Sequence, residues 1–179
     1  LVVYAILRPT APTHHPVTPV SDCPPAEDVT VAGFAVPAGP IAGFCQPALE
    51  NAVEVIRAAK SMGLQARPQE IGLMTAIGES GLQNLDYGDT AGPDSRGLFQ
   101  QRGNYGTLAE RLDPYTASRA FFQRMLGVPG WNVNPPTEVA HAVQANADPD
   151  YYTKFWSRAV DLEFGIYSYQ LFAPRPHLP

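Results

Sequence analysis

The sequence predicts an all-α domain over residues 41–173 behind a proline-rich, extended N-terminal arm over residues 1–40. Three observations carry that prediction. From about residue 44 onward, apolar residues recur at three- and four-residue steps, the period of one helix face. The steps are punctuated by helix signals, prolines at first-turn positions and glycines after the last periodic residue. Residues 1–40 lack that period and hold Pro9, Pro12, Pro16, Pro19, Pro24, Pro25, Pro37 and Pro40, eight of the chain's 19 prolines. Proline fixes φ and removes a backbone donor, so such a stretch favours an extended conformation.

Along the chain, the apolar opening (residues 1–7) is far shorter than the roughly 20 residues needed to span a bilayer. It reads either as the stub of a signal peptide or membrane anchor, or as a short strand or sticky arm. Residues 29–36 read as a short strand against a partner or against the domain. Pro47 opens a first helix through Leu49, Val53, Ile56 and Ala59, stopping at Gly63. A second begins near Pro68, runs through Ile71, Met74 and Ile77, and ends around Gly81. Residues 83–106 are loop-like, rich in Asn, Asp and Gly, and interrupted by Leu98-Phe99. Asp113-Pro114 caps and opens a third helix carrying Ala117, Phe121 and Met125. Thr137 caps a fourth through Val139, Ala140 and Val143. Asp148-Pro149 starts a fifth, with Tyr152, Phe155, Trp156, Ala159, Val160 and Phe164 at helical spacing. Trp131 and Trp156 are assigned to the core.

Composition narrows the functional classes. Charged residues make up only 16 % of the chain, against about 25 % in typical globular domains. A surface kept soluble by neutral polar groups suits neutral polar ligands such as sugars. The net charge is −5 and no Lys/Arg cluster occurs, which disfavours nucleic acid and anionic membrane surfaces as partners. His14, His15, His141 and His177 show no metal-binding spacing, and no cofactor motif is present. Cys23 and Cys45 are either a disulfide pair, which would imply an oxidising, exported setting, or two unrelated thiols.

The informative segment runs from Ile71 to Arg102. Glu79 closes an otherwise apolar helix with no basic residue three or four positions before it. A carboxyl placed where such a helix meets a loop is partly desolvated, which favours the neutral form and raises its pKa. An acid still protonated near neutrality can deliver a proton to a poor leaving group such as a glycosidic oxygen. The competing reading makes Glu79 a surface residue at a helix end.

The motifs break that tie. Glu79-Ser80-Gly81-Leu82 followed by Gly97-Leu98-Phe99-Gln100 resembles the paired signature of the soluble lytic transglycosylases and goose-type lysozymes. The run from Gln65 to about Ala159, roughly half the chain, also resembles a lysozyme-like domain of secreted actinobacterial proteins and their phages. That resemblance rests further on Asn84-Leu85-Asp86-Tyr87-Gly88-Asp89, Ser95-Arg96 before the second motif, Gln101-Arg102 after it, Val128-Pro129-Gly130-Trp131 and Ala142-Val143-Gln144.

The resemblance implies a lysozyme-like fold acting on peptidoglycan glycan strands outside the cytoplasm. Glu79 would be the catalytic acid and Ser80 the hydroxyl that orients it. Gln100 would bind sugar N-acetyl and hydroxyl groups, with Gln101, Arg102 and Gln144 as weaker candidates. Tyr87 and Tyr105 either stack on sugar faces or pack at the rim. In many of these enzymes an Ala-Tyr-Asn motif places a tyrosine near the acid. Here Val143 and Gln144 stand at the second and third positions, so that hydroxyl is missing from the motif.

A single acid suffices for the transglycosylase route, in which Glu79 protonates the bridging oxygen and then deprotonates the muramyl 6-hydroxyl. Hydrolysis usually uses two carboxylates; Asp86, Asp89 and Asp94 are available, each in a setting that also makes turns. The alternative to either enzyme is a non-catalytic wall-binding or assembly module of a phage tail or secretion apparatus, tethered through residues 1–40.

Overall fold

The computed structural model describes residues 22–90 and 92–173. Its architecture is mostly helical: six helices and one two-stranded hairpin. The helices are α1 (Gln46–Ser61), α2 (Ala66–Ser80), α3 (Leu108–Leu112), α4 (Pro114–Leu126), α5 (Pro136–Gln144) and α6 (Trp156–Phe172).

α2 is the central rod. Ile71, Leu73, Met74, Ala76 and Ile77 are all buried, and the helix packs against α1, α4, α5 and α6. A helix enclosed on every side needs no polar stripe, which is why its sequence is apolar nearly all round. α1 also packs along α4, with Leu49, Val53 and Ile56 meeting the core formed by Phe121, Phe122 and Met125.

Local signals set most boundaries. Asp113 accepts from the Thr116 N–H at 2.8 Å and Pro114 opens α4, as the sequence predicts. α3 is an addition: Thr107 and Glu110 form a reciprocal capping box around one short helix in the expected loop. Two starts differ from expectation. α5 begins at Pro136 behind Pro135, and Thr137 lies inside the first turn, its hydroxyl donating to the Pro149 carbonyl at 2.9 Å. α6 begins at Trp156 rather than at Asp148-Pro149. Asp148 folds an Asx turn onto the Asp150 N–H at 2.9 Å, and the chain passes through turns and a 3-10 turn (Thr153–Phe155) before the helix starts. Phe164, expected on the buried stripe of that helix, is 73 % exposed.

Residues 29–36, expected as a short strand, form a hairpin that packs on the helices. β1 (Val29–Val31) pairs antiparallel with β2 (Phe34–Val36), Val29 opposite Val36. Val36 is buried in the core, and β2 contacts α1 and α6. Gln170 of α6 clamps the hairpin by donating to the Ala35 carbonyl (2.7 Å) and accepting from its N–H (2.8 Å). Arg158 lies over the Phe44 ring at 3.8 Å and donates to the Ala42 carbonyl. Cys23 and Cys45 are disulfide-bonded, anchoring the segment to the start of α1. The part of the arm from residue 22 onward is therefore folded onto the helices, because its alternating apolar residues have a face to cover. The apolar opening, read as a possible anchor, lies outside the described residues.

Candidate functional site

The last turn of α2 delivers Glu79 to the floor of a cleft of about 960 Å³. Glu79 keeps part of its surface open to this cleft, with no basic residue in its helical turn. The Tyr152 hydroxyl donates to Glu79 Oε1. Tyr152 is completely buried and reaches the carboxyl only because Gly78 has no side chain. A Cβ on Gly78 would lie 2.9 Å from the Tyr152 ring and 3.1 Å from that of Phe155. Tyr151 braces the same turn, its hydroxyl donating to the Gly78 carbonyl at 2.8 Å.

The electrostatics follow from that enclosure. Burial pushes the Glu79 carboxyl up to about 7, against the hydrogen bonds of Tyr152 and Gln144, and the negative charge of Asp89 adds to the rise. Desolvation outweighs the hydrogen bonds, so Glu79 holds its proton close to neutrality. Burial and the neighbouring Glu79 charge raise the Tyr152 hydroxyl far above the ordinary phenol range, so it remains a donor.

The second wall is the turn at residues 96–101, closed by paired hydrogen bonds between Arg96 and Gln101. Gly97 sits at φ +75°, and a Cβ there would lie 2.1 Å from the Arg111 carbonyl oxygen. Only glycine fits. Leu98 and Phe99 plunge into the core, Phe99 stacked on Phe121 at 4.7 Å. Gln100, at φ +45°, swings back to line the cleft, its amide donating to the Gly97 carbonyl at 3.2 Å.

The end of α5 forms the third wall. Gln144 lines the cleft, donates to the Phe99 carbonyl at 2.9 Å and accepts from the Tyr105 hydroxyl at 3.3 Å. Tyr105, in the 3-10 turn Gly103–Tyr105, lines the cleft beneath the Arg124 guanidinium, 3.4 Å from its ring centroid. Tyr87, half exposed, lines the rim.

The structure thus brings together Glu79, Ser80, Gln100, Tyr87, Tyr105, Gln144 and Arg102, and corrects two expectations. Ser80 does not orient the acid. Its buried hydroxyl lies 2.8 Å from the Leu98 carbonyl and 3.1 Å from that of Ala76, tying the cleft floor to the second wall. Tyr152 holds Glu79 instead. Gln101 is not on the cleft: it is 2 % exposed and donates to the Ala117 carbonyl at 2.8 Å, because the chain turns inward toward α4 immediately after Gln100.

Of the three candidate second carboxylates, only Asp89 lines the cleft. It accepts from the Gly92 N–H at 2.7 Å. Asp94 pairs with Arg102 at 2.8 Å, and Asp86 points to solvent outside the cleft. Residues that sequence reasoning missed are Tyr152, bonded to Glu79, Tyr151, bonded to the Gly78 carbonyl, and Arg124 and Lys154, which line the same cleft. The signal for the tyrosines was Asp148-Pro149-Asp150, a turn-forming run that takes them out of helical register. The hydroxyl bonded to Glu79 comes from Tyr152, in the turns before α6, and not from the Ala142-Val143-Gln144 segment. Among the described residues, no group of three or more His, Cys, Asp or Glu side chains is placed to hold a metal ion. His14, His15 and His177 lie outside the described residues. No protein-family model matches the chain, and no curated protein matches it.

Proposed function

We propose that this chain is a lysozyme-like lytic transglycosylase that cleaves the bond between N-acetylmuramic acid and N-acetylglucosamine in peptidoglycan. The observation that carries the reading is a carboxyl protonated near neutrality, held by one phenol at the floor of a cleft of about 960 Å³. Glu79 passes its proton to the bridging oxygen as the glycosidic bond breaks. The resulting carboxylate is steadied by the Tyr152 hydroxyl, whose hydrogen bond strengthens once the acceptor is charged. Glu79 then takes the proton from the muramyl 6-hydroxyl as that oxygen bonds to the anomeric carbon, giving a 1,6-anhydro end without water. Gln100 and Gln144 present amides to the N-acetyl and hydroxyl groups of the sugars, and Tyr87 offers a ring face. The disulfide fits an extracytoplasmic setting, where such bonds persist.

One observation favours a second reading. Asp89 lines the same cleft and lies near enough for its charge to act on Glu79, which supports a muramidase using Asp89 as second carboxylate. Digestion of purified sacculi by the wild type and by Glu79→Gln tests both. The expected result is anhydro-muropeptides from the wild type and at least a thousandfold loss in the folded variant. Reducing ends in place of anhydro ends would select the muramidase, and an active Glu79→Gln protein would defeat the assignment.

A further inference from the structure

A second cavity, of about 360 Å³, opens between the end of α1, the start of α2 and the middle of α6. It shares no residue with the cleft that holds Glu79. Gln69, on its wall, precedes Glu79 on α2 by nearly three turns, about 15 Å along the helix axis. Two side chains of opposite charge line this cavity, and neither takes part in an ion pair among the described residues. Glu163 of α6 is only 6 % exposed, and its buried Oε1 has no hydrogen-bond partner. Lys60 of α1 is exposed and stands over the rings of Phe34 and Tyr167, 5.1 and 5.5 Å from their centroids. The nearby polar groups are engaged with one another: the Tyr167 hydroxyl donates to Gln69 Oε1 at 2.8 Å, and Gln69 Nε2 donates to the Leu64 carbonyl at 2.9 Å.

A carboxyl buried without a donor lowers stability, and an apolar residue in its place would avoid that loss. Binding sites are where proteins retain such groups. The charges also select the ligand. A lone cation would satisfy Glu163 and be repelled by Lys60; a lone anion would suit Lys60 and be repelled by Glu163. A molecule carrying both charges satisfies the two together. The backbone adds to the positive half. Ala66, the first residue of α2, lines the cavity, and that helix begins with no side-chain cap and no acid in its first turn. Its positive end therefore favours a carboxylate nearby. Leu64 contributes apolar wall. The volume lies at the lower end of the range for small-molecule sites, roughly 300–1,000 Å³.

We infer that this cavity binds a small zwitterion of the α-amino acid class, its ammonium on Glu163 and its carboxylate on Lys60 and the start of α2. Calorimetric titration of the full chain with alanine, glutamine and lysine, each enantiomer separately, tests this against two half-ligands, ethylamine and propionate. At about pH 8 and low salt, at least one amino acid should bind with a Kd of about 1 mM or tighter. Each half-ligand should bind about tenfold more weakly, since each lacks one charged contact. Glu163→Gln and Lys60→Gln should each weaken binding about tenfold, while Lys60→Arg keeps most of it. A proton supplies a further readout. Burial and the charge of Glu70 raise the Glu163 carboxyl to about 7. Lys60 and Tyr167 are the other titratable groups lining the cavity, and Arg67 acts on Glu70. An arriving ammonium favours the carboxylate, so at about pH 6 binding should release up to about one proton, measured in buffers of different ionisation heat. That release should vanish at about pH 8 and in Glu163→Gln. The inference is overturned if no amino acid binds, or if ethylamine or propionate binds as tightly as the amino acids. Binding at about pH 6 without proton release, or binding that survives loss of both charges in a folded protein, overturns it equally.

Discussion

Glu79 is held between two opposing influences, and the balance between them sets the pH at which it can act. Low-dielectric surroundings favour the acid form; the Tyr152 phenol favours the carboxylate. Removing the phenol while keeping the ring should leave packing intact and let desolvation act unopposed. Tyr152→Phe should therefore move the alkaline limb of the kcat–pH profile upward by about one unit, since a hydrogen bond to a charged group contributes roughly 1.5–3 kcal/mol. kcat should fall about tenfold, because the carboxylate left after proton transfer loses its donor. A pH–rate profile measured on sacculi checks both, and an unmoved limb would uncouple Tyr152 from the acid. At this scale the sequence was legible where the physics is local: a carboxyl closing an apolar helix predicts desolvation, and burial does raise the Glu79 pKa. It misassigned Ser80 and missed Tyr152, because which hydroxyl reaches a carboxyl depends on backbone placed 73 residues away.

Elements explain what residues could not. The helices with a strong apolar period and a Pro or Asp at the start, α1 and α4, were readable from the chain. α3 escaped because five residues carry no period, although Thr107 and Glu110 spelled out its capping box. α6 was misjudged at its start because aromatic spacing continues through a turn that Asp148 closes. The turn at residues 96–101 is the element most exposed to a single substitution. Gly97→Ala combines a φ that L side chains rarely adopt with a Cβ 2.1 Å from a carbonyl oxygen. It should destabilise the fold by about 2 kcal/mol or more and displace Gln100 from the cleft. Gly103→Ala, where nothing lies within 4 Å of the added atom, should be close to neutral. Chemical denaturation of the two variants against the parent measures the contrast; equal losses would mean the turn tolerates rebuilding.

The whole molecule carries a pH signature of its own. Glu79 and Glu163 both titrate near 7 in the folded protein, Glu79 through burial and Glu163 through burial and the charge of Glu70, against an ordinary value of 4.5. Between those values the folded state keeps protons that the unfolded chain has released. Their stabilisation is complete below about 4.5 and is lost as pH rises through 7. The opposite sign applies to Asp28, held low by the Tyr169 hydroxyl and the Ala38 N–H, and to Glu110, held low by the Thr107 N–H and hydroxyl. Those contributions vanish in acid. Thermal melts should show a maximum Tm near pH 5 and a decline by pH 8, with Glu163→Gln removing about 1–3 kcal/mol of the loss. A flat profile would mean that Glu163 is better solvated than its position in the core implies. Residues 29–36 were legible as strand, but not the turn that makes them a hairpin, nor the packing partner, since Gln170 lies 135 residues on from Ala35.

The sulfur bridge between Cys23 and Cys45 encloses that hairpin in a covalent loop. Tension entering the chain ahead of Cys23 passes through the sulfurs to the first residue before α1, and the strands inside the loop carry no load. With the thiols reduced, the same pull would run through β1 and β2 in turn, unzipping them before it reached the helices that frame the cleft.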